Sequence, residues 1–359
     1  MVTETKPAEL DTDQMMAFTF KMVGDLAAAI NGGLIYAGDR LGLFKLLAAE
    51  GPLTTDQLAA KTGFQERYLR EWASALTAGE ILDYDPQAKT FAISAEKAMV
   101  LANEDSPVFV MGGFQMVPDH YDKVPQFMKA MQEGGGIPYS EYSDDTFEGT
   151  ERFFKPGYVN SLVDQWLPAT GLKERLEQGG KVADVGCGRG WAIITMARAF
   201  PKSTFYGFDN HAPGIEAATA NARKEGAAAN ATFEERGGNE LPQTGDFDLI
   251  SNLDSLHDMV DPEGCARSVR GALKPDGGWF VVEPNVSDKL EENIGPVGRA
   301  FYSFSSLQCM PASLSQGGKG YGACMGPGRL NQIAREAGFT RAERLPIDNP
   351  FNALWLFRP

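Results

Sequence analysis

Residues 182–209 read VADVGCGRGWAIITMARAFPKSTFYGFD, and this stretch decides the fold. A short apolar run leads into Gly186, Gly188 and Gly190, and a helical pattern and a second strand follow, ending at Asp209. Glycines let the backbone turn sharply and approach a ligand closely. An acid at the end of the second strand is placed to bind ribose hydroxyls. The pattern therefore predicts a strand–turn–helix–strand unit that binds a nucleoside cofactor.

The spacing of the glycines separates two kinds of nucleoside cofactor. A dinucleotide fingerprint has the form G-x-G-x-x-G, whereas the third glycine here comes one residue early, and Trp191 stands where that fingerprint has glycine. Asp184 precedes the turn, and a carboxylate there would repel a pyrophosphate, which needs helix N–H groups and positive potential. S-adenosylmethionine carries an ammonium, a sulfonium and no phosphate, so the acid favours it. The alternative is a strand–turn–helix with a purely structural role.

The run from Asp184 to Gly190 reads D-x-G-x-G-x-G, and here the chain resembles the class I methyltransferases. The resemblance implies a Rossmann-like doubly wound α/β sheet that binds S-adenosyl-L-methionine. The family usually has an acid for the adenine amino group after the third strand, and Gly238 and Asn239 occupy that neighbourhood here. The cofactor-binding residues that the resemblance implies are Asp184, Gly186, Cys187, Gly188, Gly190, Asp209, Asn210, Gly238, Asn239, Leu253 and Asp254.

Composition limits the partners that the chain can have. Its 359 residues leave room for about two domains, and a net charge of −15 disfavours nonspecific attraction to nucleic acid or an anionic membrane. The four cysteines are scattered without a C-x-x-C pair, so no zinc site or disulfide framework is expected. We see no leader pattern and no apolar run of membrane length, which predicts a cytoplasmic protein.

The N-terminal segment carries apolar residues at helical spacing from Met15 to Leu47. We expect Gly32 and Gly33 to break it into two helices. This much apolar helix ahead of a small domain could also bury itself against a second subunit. The residues that define the spacing are Phe18, Met22, Leu26, Ile30 and Leu34.

Residues 40–100 predict three helices followed by a two-stranded hairpin, which is a winged helix. The segment resembles the winged-helix dimerisation domain of many small-molecule methyltransferases, which implies a homodimer. The rival function is a ligand-responsive transcriptional regulator, but a DNA reader should carry a basic face. Residues 41–100 hold six Lys/Arg against eight Asp/Glu. The charges on the third helix cancel; they belong to Glu66, Arg67, Arg70 and Glu71.

The rest of the chain divides into a connecting region and a catalytic domain. We expect an N-terminal domain over 1–100, connecting helices over 101–170 and a catalytic domain over 171–359. In the last of these, strands and helices alternate, which predicts a doubly wound parallel sheet. The connecting region resembles the segment that covers the active site in a bacterial group of winged-helix methyltransferases. The aromatic residues expected to face the acceptor are Tyr139, Tyr142, Tyr158, Trp166 and Tyr302.

His257 is the candidate general base, because it follows the fourth strand and the carboxyl ends of parallel strands line the ligand crevice. A hydroxyl acceptor needs a base to take its proton. Leu256–Asp258 resembles the segment that carries the catalytic histidine in plant-type O-methyltransferases, and Glu283 matches the acid that flanks it. In two respects the sequence departs from that family: Met259 replaces the usual tryptophan, and no second flanking acid is evident near Gly317–Lys319.

Two alternatives stay open at this point. A thioether or thiol could be methylated by proximity alone, without a base, and the predicted aromatic residues would suit a sulfonium product through cation–π contacts as well as a flat aromatic acceptor. His257 could instead cap or pack the end of the strand. The favoured expectation is an S-adenosylmethionine-dependent methyltransferase that acts on the oxygen of a small molecule, with no metal.

Overall fold

A computed structural model describes residues 10–359 of the chain. The described residues form two compact units, one of 10–104 with Val108–Val117 and the other of Asp105–Pro107 with Pro118–Pro359. Among residues 10–359, no helix combines the length and the apolar character that crossing a bilayer requires.

The first unit consists of helices and one small hairpin. A capping box starts α3, since the Thr54 side chain accepts from the Gln57 N–H while the Gln57 side chain accepts from the Thr54 N–H. The core of this unit is built around Phe44, Leu58 and Trp72. Its elements are α1 (Thr12–Arg40), α2 (Leu43–Glu50), α3 (Thr55–Thr62), α4 (Glu66–Ala78), β1 (Asp83–Asp85), β2 (Thr90–Ala92) and α5 (Ala95–Leu101). This is the expected winged helix.

The predicted break at Gly32 and Gly33 is wrong, because α1 runs through both glycines to Arg40. One glycine inside a helix costs only about 1 kcal/mol relative to alanine, which the other turns of a long helix offset. Gly32 is buried, and a Cβ on it would lie 3.8 Å from the Val117 side chain. The chain turns instead at Gly42, whose left-handed φ of 70° separates α1 from α2.

A seven-stranded sheet organises the second unit, in the order β5-β4-β3-β6-β7-β9-β8. The five strands from β5 to β7 are parallel, whereas β9 runs antiparallel to β7 and β8 antiparallel to β9. The expected doubly wound parallel sheet is therefore confirmed for these five strands, and the β9–β8 edge departs from it. The connection between β8 and β9 is too short for the crossover that parallel strands need. The strands are β3 (Lys181–Val185), β4 (Thr204–Asp209), β5 (Ala231–Glu235), β6 (Phe247–Leu253), β7 (Leu273–Pro284), β8 (Arg341–Arg344) and β9 (Asn352–Arg358).

Helices cover both faces of this sheet, which confirms the Rossmann-like fold class. Ile193, Phe205 and Leu249 belong to the core on one face, and Phe247 and Trp279 to the core on the other. The helices are α6 (Met111–Asp122, shared between the units), α7 (Val124–Glu133), α8 (Asp144–Gly157), α9 (Leu167–Thr170), α10 (Lys173–Gln178), α11 (Trp191–Ala199), α12 (Ala212–Lys224), α13 (Pro262–Ala272), α14 (Pro296–Phe304), α15 (Met310–Ser315) and α16 (Gly326–Glu336).

Two π-helical segments interrupt these helices. One follows α8 over Tyr158–Trp166, and the other joins α14 to α15 over Ser305–Cys309. π-helical turns are rare and frequently lie at functional sites. Each brings a side chain to the carboxyl edge of the parallel strands, as described below.

Candidate functional site

The glycine loop after β3 has the backbone that its sequence requires. Gly186 and Gly190 take left-handed φ angles of 76° and 84°, which glycine adopts without steric cost. A Cβ on Gly186 would stand 2.6 Å from the Ser255 side chain, and one on Gly190 would stand 2.6 Å from the ring of Phe233. Side chains of neighbouring elements therefore pack closely against the loop at these two glycines. A Cβ on Gly188 would meet no atom within 4 Å, so this side of the loop is open to a ligand.

Asp209 is fixed at the end of β4 by backbone hydrogen bonds. The Gly188 N–H donates to its Oδ2 over 2.8 Å, and the His211 N–H donates to its Oδ1 over 2.9 Å. A carboxylate offers about four lone-pair positions, so both oxygens keep capacity to accept from a pair of neighbouring hydroxyls. Burial raises the pKa of Asp209, although these backbone N–H groups counteract the rise.

Asp184 and Asp254 place two further carboxylates at the same edge of the sheet. Asp184 is buried and accepts from the Ser251 hydroxyl over 2.7 Å, and Asp254 accepts from the Asn352 amide over 2.6 Å. Desolvation and the charge of Asp209 raise the pKa of Asp184 to about 7, although the Ser251 hydrogen bond opposes the rise. Desolvation and the charge of Glu283 raise the pKa of Asp254 well above its ordinary value.

These three carboxylates fit a cationic ligand. Within residues 10–359, none of them forms an ion pair with lysine or arginine. Asp184 is buried and the other two are half-buried, and carboxylates withdrawn from water without an opposite charge are costly. A ligand that brings an ammonium and a sulfonium would relieve that cost while its ribose meets Asp209. The residues at this edge therefore fit S-adenosylmethionine.

The other predicted cofactor residues lie around the same edge in different environments. Cys187 is 8% exposed and its N–H donates to the Phe208 carbonyl, so its backbone is fixed within the loop. Leu253 ends β6 and packs in the core. A Cβ on Gly238 would meet the sulfur atoms of Met259 and Cys265 at 3.0 and 3.1 Å. The remaining two, Asn210 and Asn239, are exposed.

The chain turns over Leu256–Asp258 directly after β6, which sets His257 beside the end of β7. His257 Nδ1 lies 2.5 Å from Glu283 Oε2, and the His257 N–H donates to the other Glu283 oxygen over 3.3 Å. Both side chains are buried. His257 Nε2 faces the opposite way, 3.0 Å from Asp258 Oδ1. The Cys309 thiol, from the second π-helical segment, reaches the same group.

The surrounding carboxylates decide the protonation of His257. Burial alone would lower its pKa, but Asp258 and Glu283 outweigh burial and raise the pKa well above its ordinary value. Glu283 fixes the tautomer with the proton on Nδ1 whenever the ring is neutral. Nε2 is then the atom that can accept a proton.

The predicted aromatic residues divide into two groups. Tyr139 packs against Phe147 and His211, with ring centres 5.0 and 5.4 Å away, and the Tyr142 hydroxyl donates to the Leu307 carbonyl. The pKa of Tyr158, in the first π-helical segment, is raised by burial and by the charges of Asp254 and Asp184. Trp166 packs in the core, and Tyr302 is 37% exposed and contacts Asn293.

Sequence reasoning missed several residues that the fold brings to His257. Asp258 is adjacent in sequence and could have been recognised as a second acid. Cys309 had no sequence signal, because only the π-helical turn aims its thiol at a histidine about fifty residues earlier in the chain. The same turn directs Gln308 to His120, whose Nε2 lies 2.9 Å from the Gln308 amide oxygen.

Comparison with protein families gives two matches in chain order. Residues 29–103 match the Rv2258c-like winged HTH domain, and residues 176–338 match a methyltransferase domain. These cover the two parts of the chain that the sequence singled out.

Relatives with curated functions agree with this assignment. The mitomycin biosynthesis 6-O-methyltransferase of Streptomyces lavendulae is 26% identical over 311 residues, which cover 80% of this chain and 84% of that protein. Methyltransferase GfsG of Streptomyces halstedii is 26% identical over 198 residues, covering 54% of this chain and 66% of that protein.

Solved structures share the fold along nearly the whole chain. Mitomycin 7-O-methyltransferase MmcR superposes with a TM-score of 0.71 at 20% identity, covering 97% of this chain and 100% of that chain. Human N-acetylserotonin methyltransferase, solved with S-adenosylmethionine, gives 0.66 at 18% identity, covering 98% and 99%. The two family models and the curated relatives show a methyltransferase domain that follows an N-terminal winged-helix domain, so the chain is an S-adenosylmethionine-dependent methyltransferase, and the solved structures share its class I fold.

Proposed function

We propose that this methyltransferase transfers a methyl group to the hydroxyl of a small molecule, with His257 as the general base. The observation that carries the proposal is the 2.5 Å contact between His257 Nδ1 and Glu283 Oε2. A buried histidine whose Nδ1 is held by a carboxylate has Nε2 as its proton-accepting nitrogen, with raised basicity, and here Asp258 Oδ1 lies 3.0 Å from that nitrogen. Transfer to a thioether releases no proton, and a thiol gives up its proton more readily than an alcohol, so neither depends on such a group to the same degree. The relative that methylates the 6-oxygen in mitomycin biosynthesis supports an oxygen acceptor.

In this proposal S-adenosylmethionine supplies the methyl group from its sulfonium. Asp209 would accept hydrogen bonds from the ribose hydroxyls, and Asp184 and Asp254 would face the positive charges. His257 Nε2 takes the acceptor's proton as the new bond forms, and Glu283 stabilises the resulting imidazolium. Holding donor and acceptor in line supplies most of the remaining rate enhancement.

The acceptor that fits best carries a flat ring. Tyr139, Phe147 and His211 pack as an aromatic cluster, and Tyr142 and His120 extend it, with ring centres 6.4 Å apart. Aromatic side chains bind planar apolar rings through edge and offset contacts. We therefore propose that Tyr139, Tyr142 and Tyr158 contact substrate. The positions of Trp166 and Tyr302 add no support for such a role.

A regulator that reads DNA is not favoured. The basic side chains of the third winged-helix helix, α4, are paired along its own surface. Arg70 pairs with Glu66 and Arg67 with Glu71. A helix whose arginines are neutralised one turn away supplies no basic face for phosphates.

We propose that the enzyme is a homodimer formed through α1. The first two-thirds of this helix expose large apolar side chains, and only Gly32, Ile35 and Gly38 are buried. Exposed apolar surface of this extent is typical of an interface. The exposed side chains are Met15, Met16, Phe18, Phe20, Met22, Val23, Leu26 and Ile30.

We also propose a cytoplasmic location, because all four cysteines are free thiols, as is usual in a reducing compartment. The functional division that we propose is 1–100 for dimerisation, 101–170 for covering the active site and 171–359 for catalysis.

An acceptor screen tests the proposed function. The purified protein is incubated with S-adenosylmethionine and phenols, alcohols, thioethers, thiols or amines, and S-adenosylhomocysteine release is measured. We expect turnover with hydroxyl compounds that carry an aromatic ring, and none when His257→Gln replaces the wild type. Turnover confined to sulfur compounds, or equal turnover by the variant, would contradict the proposal.

A further inference from the structure

The cluster around His257 has the composition and spacing of a binding site for a soft divalent cation. One ligand atom each from His257, Asp258 and Cys309 lies within 4.8 Å of the other two. In a tetrahedral zinc site, neighbouring ligand atoms lie roughly 3.5 Å apart, given bond lengths of about 2.0–2.3 Å. Small rotamer adjustments of side chains already in place would bring the three to that spacing.

Glu283 supports the proposed ligand set by contacting the other ring nitrogen of His257. Histidines that bind metal almost always donate the other ring N–H to a carboxylate, which fixes the tautomer and increases the basicity of the ligand nitrogen. His257 Nδ1 lies 2.5 Å from Glu283 Oε2, so Nε2 is directed at Asp258 and Cys309. The contact that prepares a general base therefore also prepares a metal ligand.

Asp258 has an oxygen that lacks a suitable partner. Its Oδ1 is buried and, although 3.0 Å from His257 Nε2, forms no aligned hydrogen bond within the described part of the chain. A buried carboxylate oxygen without a donor is costly. A cation between Oδ1, Nε2 and the Cys309 sulfur would satisfy all three atoms.

We propose that His257, Asp258 and Cys309 bind one zinc-type ion, which inhibits the enzyme by occupying the nitrogen that accepts the acceptor's proton. A thiolate and an imidazole select zinc over magnesium, which prefers oxygen ligands. The inhibition rests on the proposed function, because it requires His257 to be the base; the binding does not. The scattered cysteines gave no sign of this site, since its ligands come from two distant segments.

Cobalt(II) is the probe for the site, since it reports thiolate coordination by a charge-transfer band. We expect CoCl₂ added to the full-length reduced protein to give this band, ZnCl₂ to displace it, and MgCl₂ to leave it unchanged. Cys309→Ser should abolish the band and weaken zinc binding at least about tenfold, because a soft ligand is lost. The matched control is Cys324→Ser, which removes a half-buried cysteine that is not one of the three proposed ligands and should keep the band.

Glu283→Gln provides the second test, with an expected loss of roughly 10–100-fold in zinc affinity through the outer contact. Binding of S-adenosylmethionine by each variant confirms that it is folded. Zinc should also inhibit turnover of the acceptor found by the screen, and a chelator should reverse the inhibition. A band that survives in Cys309→Ser, or activation by zinc, would overturn the proposal. A protein that shows the band but transfers no methyl group would instead contradict the proposed function alone.

Discussion

His257 Nδ1 and Glu283 Oε2 lie 2.5 Å apart, and the two side chains stand at the ends of neighbouring parallel strands, β6 and β7. The pairing depends on the register of these strands, since Leu253 lies opposite Val282. The chain leaves the sheet after Leu253 and turns at Leu256–Asp258, whereas Glu283 follows Val282 within β7 and is still paired with Ala353 of β9. The sheet and the turn after β6 thus bring together the proposed base and its proposed orienting acid, which are 26 residues apart in sequence.

The first prediction concerns the base. His257→Gln should lower kcat on a hydroxyl acceptor roughly 10²–10⁴-fold, the usual contribution of general-base catalysis. The affinity for S-adenosylmethionine should barely change, because we assign this side chain to the acceptor and not to the nucleoside. Steady-state kinetics and calorimetry measure the two quantities. Near-normal turnover by the variant would remove the base from the mechanism and favour sulfur methylation.

The second prediction concerns Glu283 and pH. Its charge, with that of Asp258, raises the pKa of His257 despite burial, and a protonated base cannot accept a proton. Activity should therefore rise with pH through a pKa above the ordinary histidine value. Glu283→Gln should move this acid limb to lower pH and reduce the plateau less than His257→Gln does. A pH–rate profile that shifts to higher pH, or not at all, would contradict the role assigned to Glu283.

The third prediction concerns Asp209, which we propose binds the ribose. Asp209→Ala should weaken S-adenosylmethionine binding by roughly 2–4 kcal/mol, the cost of losing hydrogen bonds to a charged group. Calorimetry measures the effect directly. Asp246→Ala is the control, because that acid pairs with Lys181 at the beginning of β6 and should leave the affinity unchanged. Equal losses in both variants would point to general destabilisation.

Much of the fold could be predicted from local sequence. Three features depend only on residues close to them in sequence: the glycine run, Asp209 at a strand end, and the Thr54 cap. The break predicted at Gly32 was wrong, and the antiparallel edge of the sheet was not predicted, for a different reason. The packing of Gly32 against Val117 and the pairing of β8 with β9 depend on tertiary structure, which a local sequence pattern does not predict.

In the candidate site, too, some residues could be identified from local sequence and others are brought together only by the fold. His257 could be named because it follows a strand end, and Asp258 is its neighbour. Cys309 could not be named, since a π-helical turn directs it and its own sequence context is ordinary. The exposure of Tyr302 likewise depends on how α14 packs. Local chemistry therefore predicts which residue types act, whereas tertiary packing decides which of them meet.

The fourth prediction links Asp184 to the stability of the cofactor-free protein. Its pKa is raised from 3.8 to about 7 by desolvation and by Asp209, so the folded state holds this proton more tightly than the unfolded state. The contribution of Asp184 is fully present below about pH 4 and is lost as pH rises through about 7, by at most roughly 4 kcal/mol. Asp184→Asn should therefore raise the melting temperature at pH 8 relative to wild type, while weakening S-adenosylmethionine binding.

Asp246→Asn is the control of opposite sign. Although burial opposes it, hydrogen bonds from Lys181 and Thr244 lower the pKa of Asp246, so its charge stabilises the fold at neutral pH and its loss should lower the melting temperature. Calorimetry from pH 4 to pH 8 compares the variants. A wild-type protein whose stability relative to Asp184→Asn stays constant over this range would show that Asp184 is not desolvated.

The last prediction tests whether α1 forms the dimer. Phe20 and Leu26 are 69% and 61% exposed, and burying such side chains against a second copy contributes about 1.5–3 kcal/mol each. Light scattering of the wild type at micromolar concentration should give twice the 38.9 kDa of one chain. Phe20→Asp combined with Leu26→Asp should shift the mass to one chain, because charges would be buried in an apolar interface. Tyr68→Asp is the matched control, since Tyr68 is 79% exposed but lies on α4, and it should leave the mass unchanged. A monomeric wild type, or a double variant that remains dimeric, would show that α1 serves another purpose.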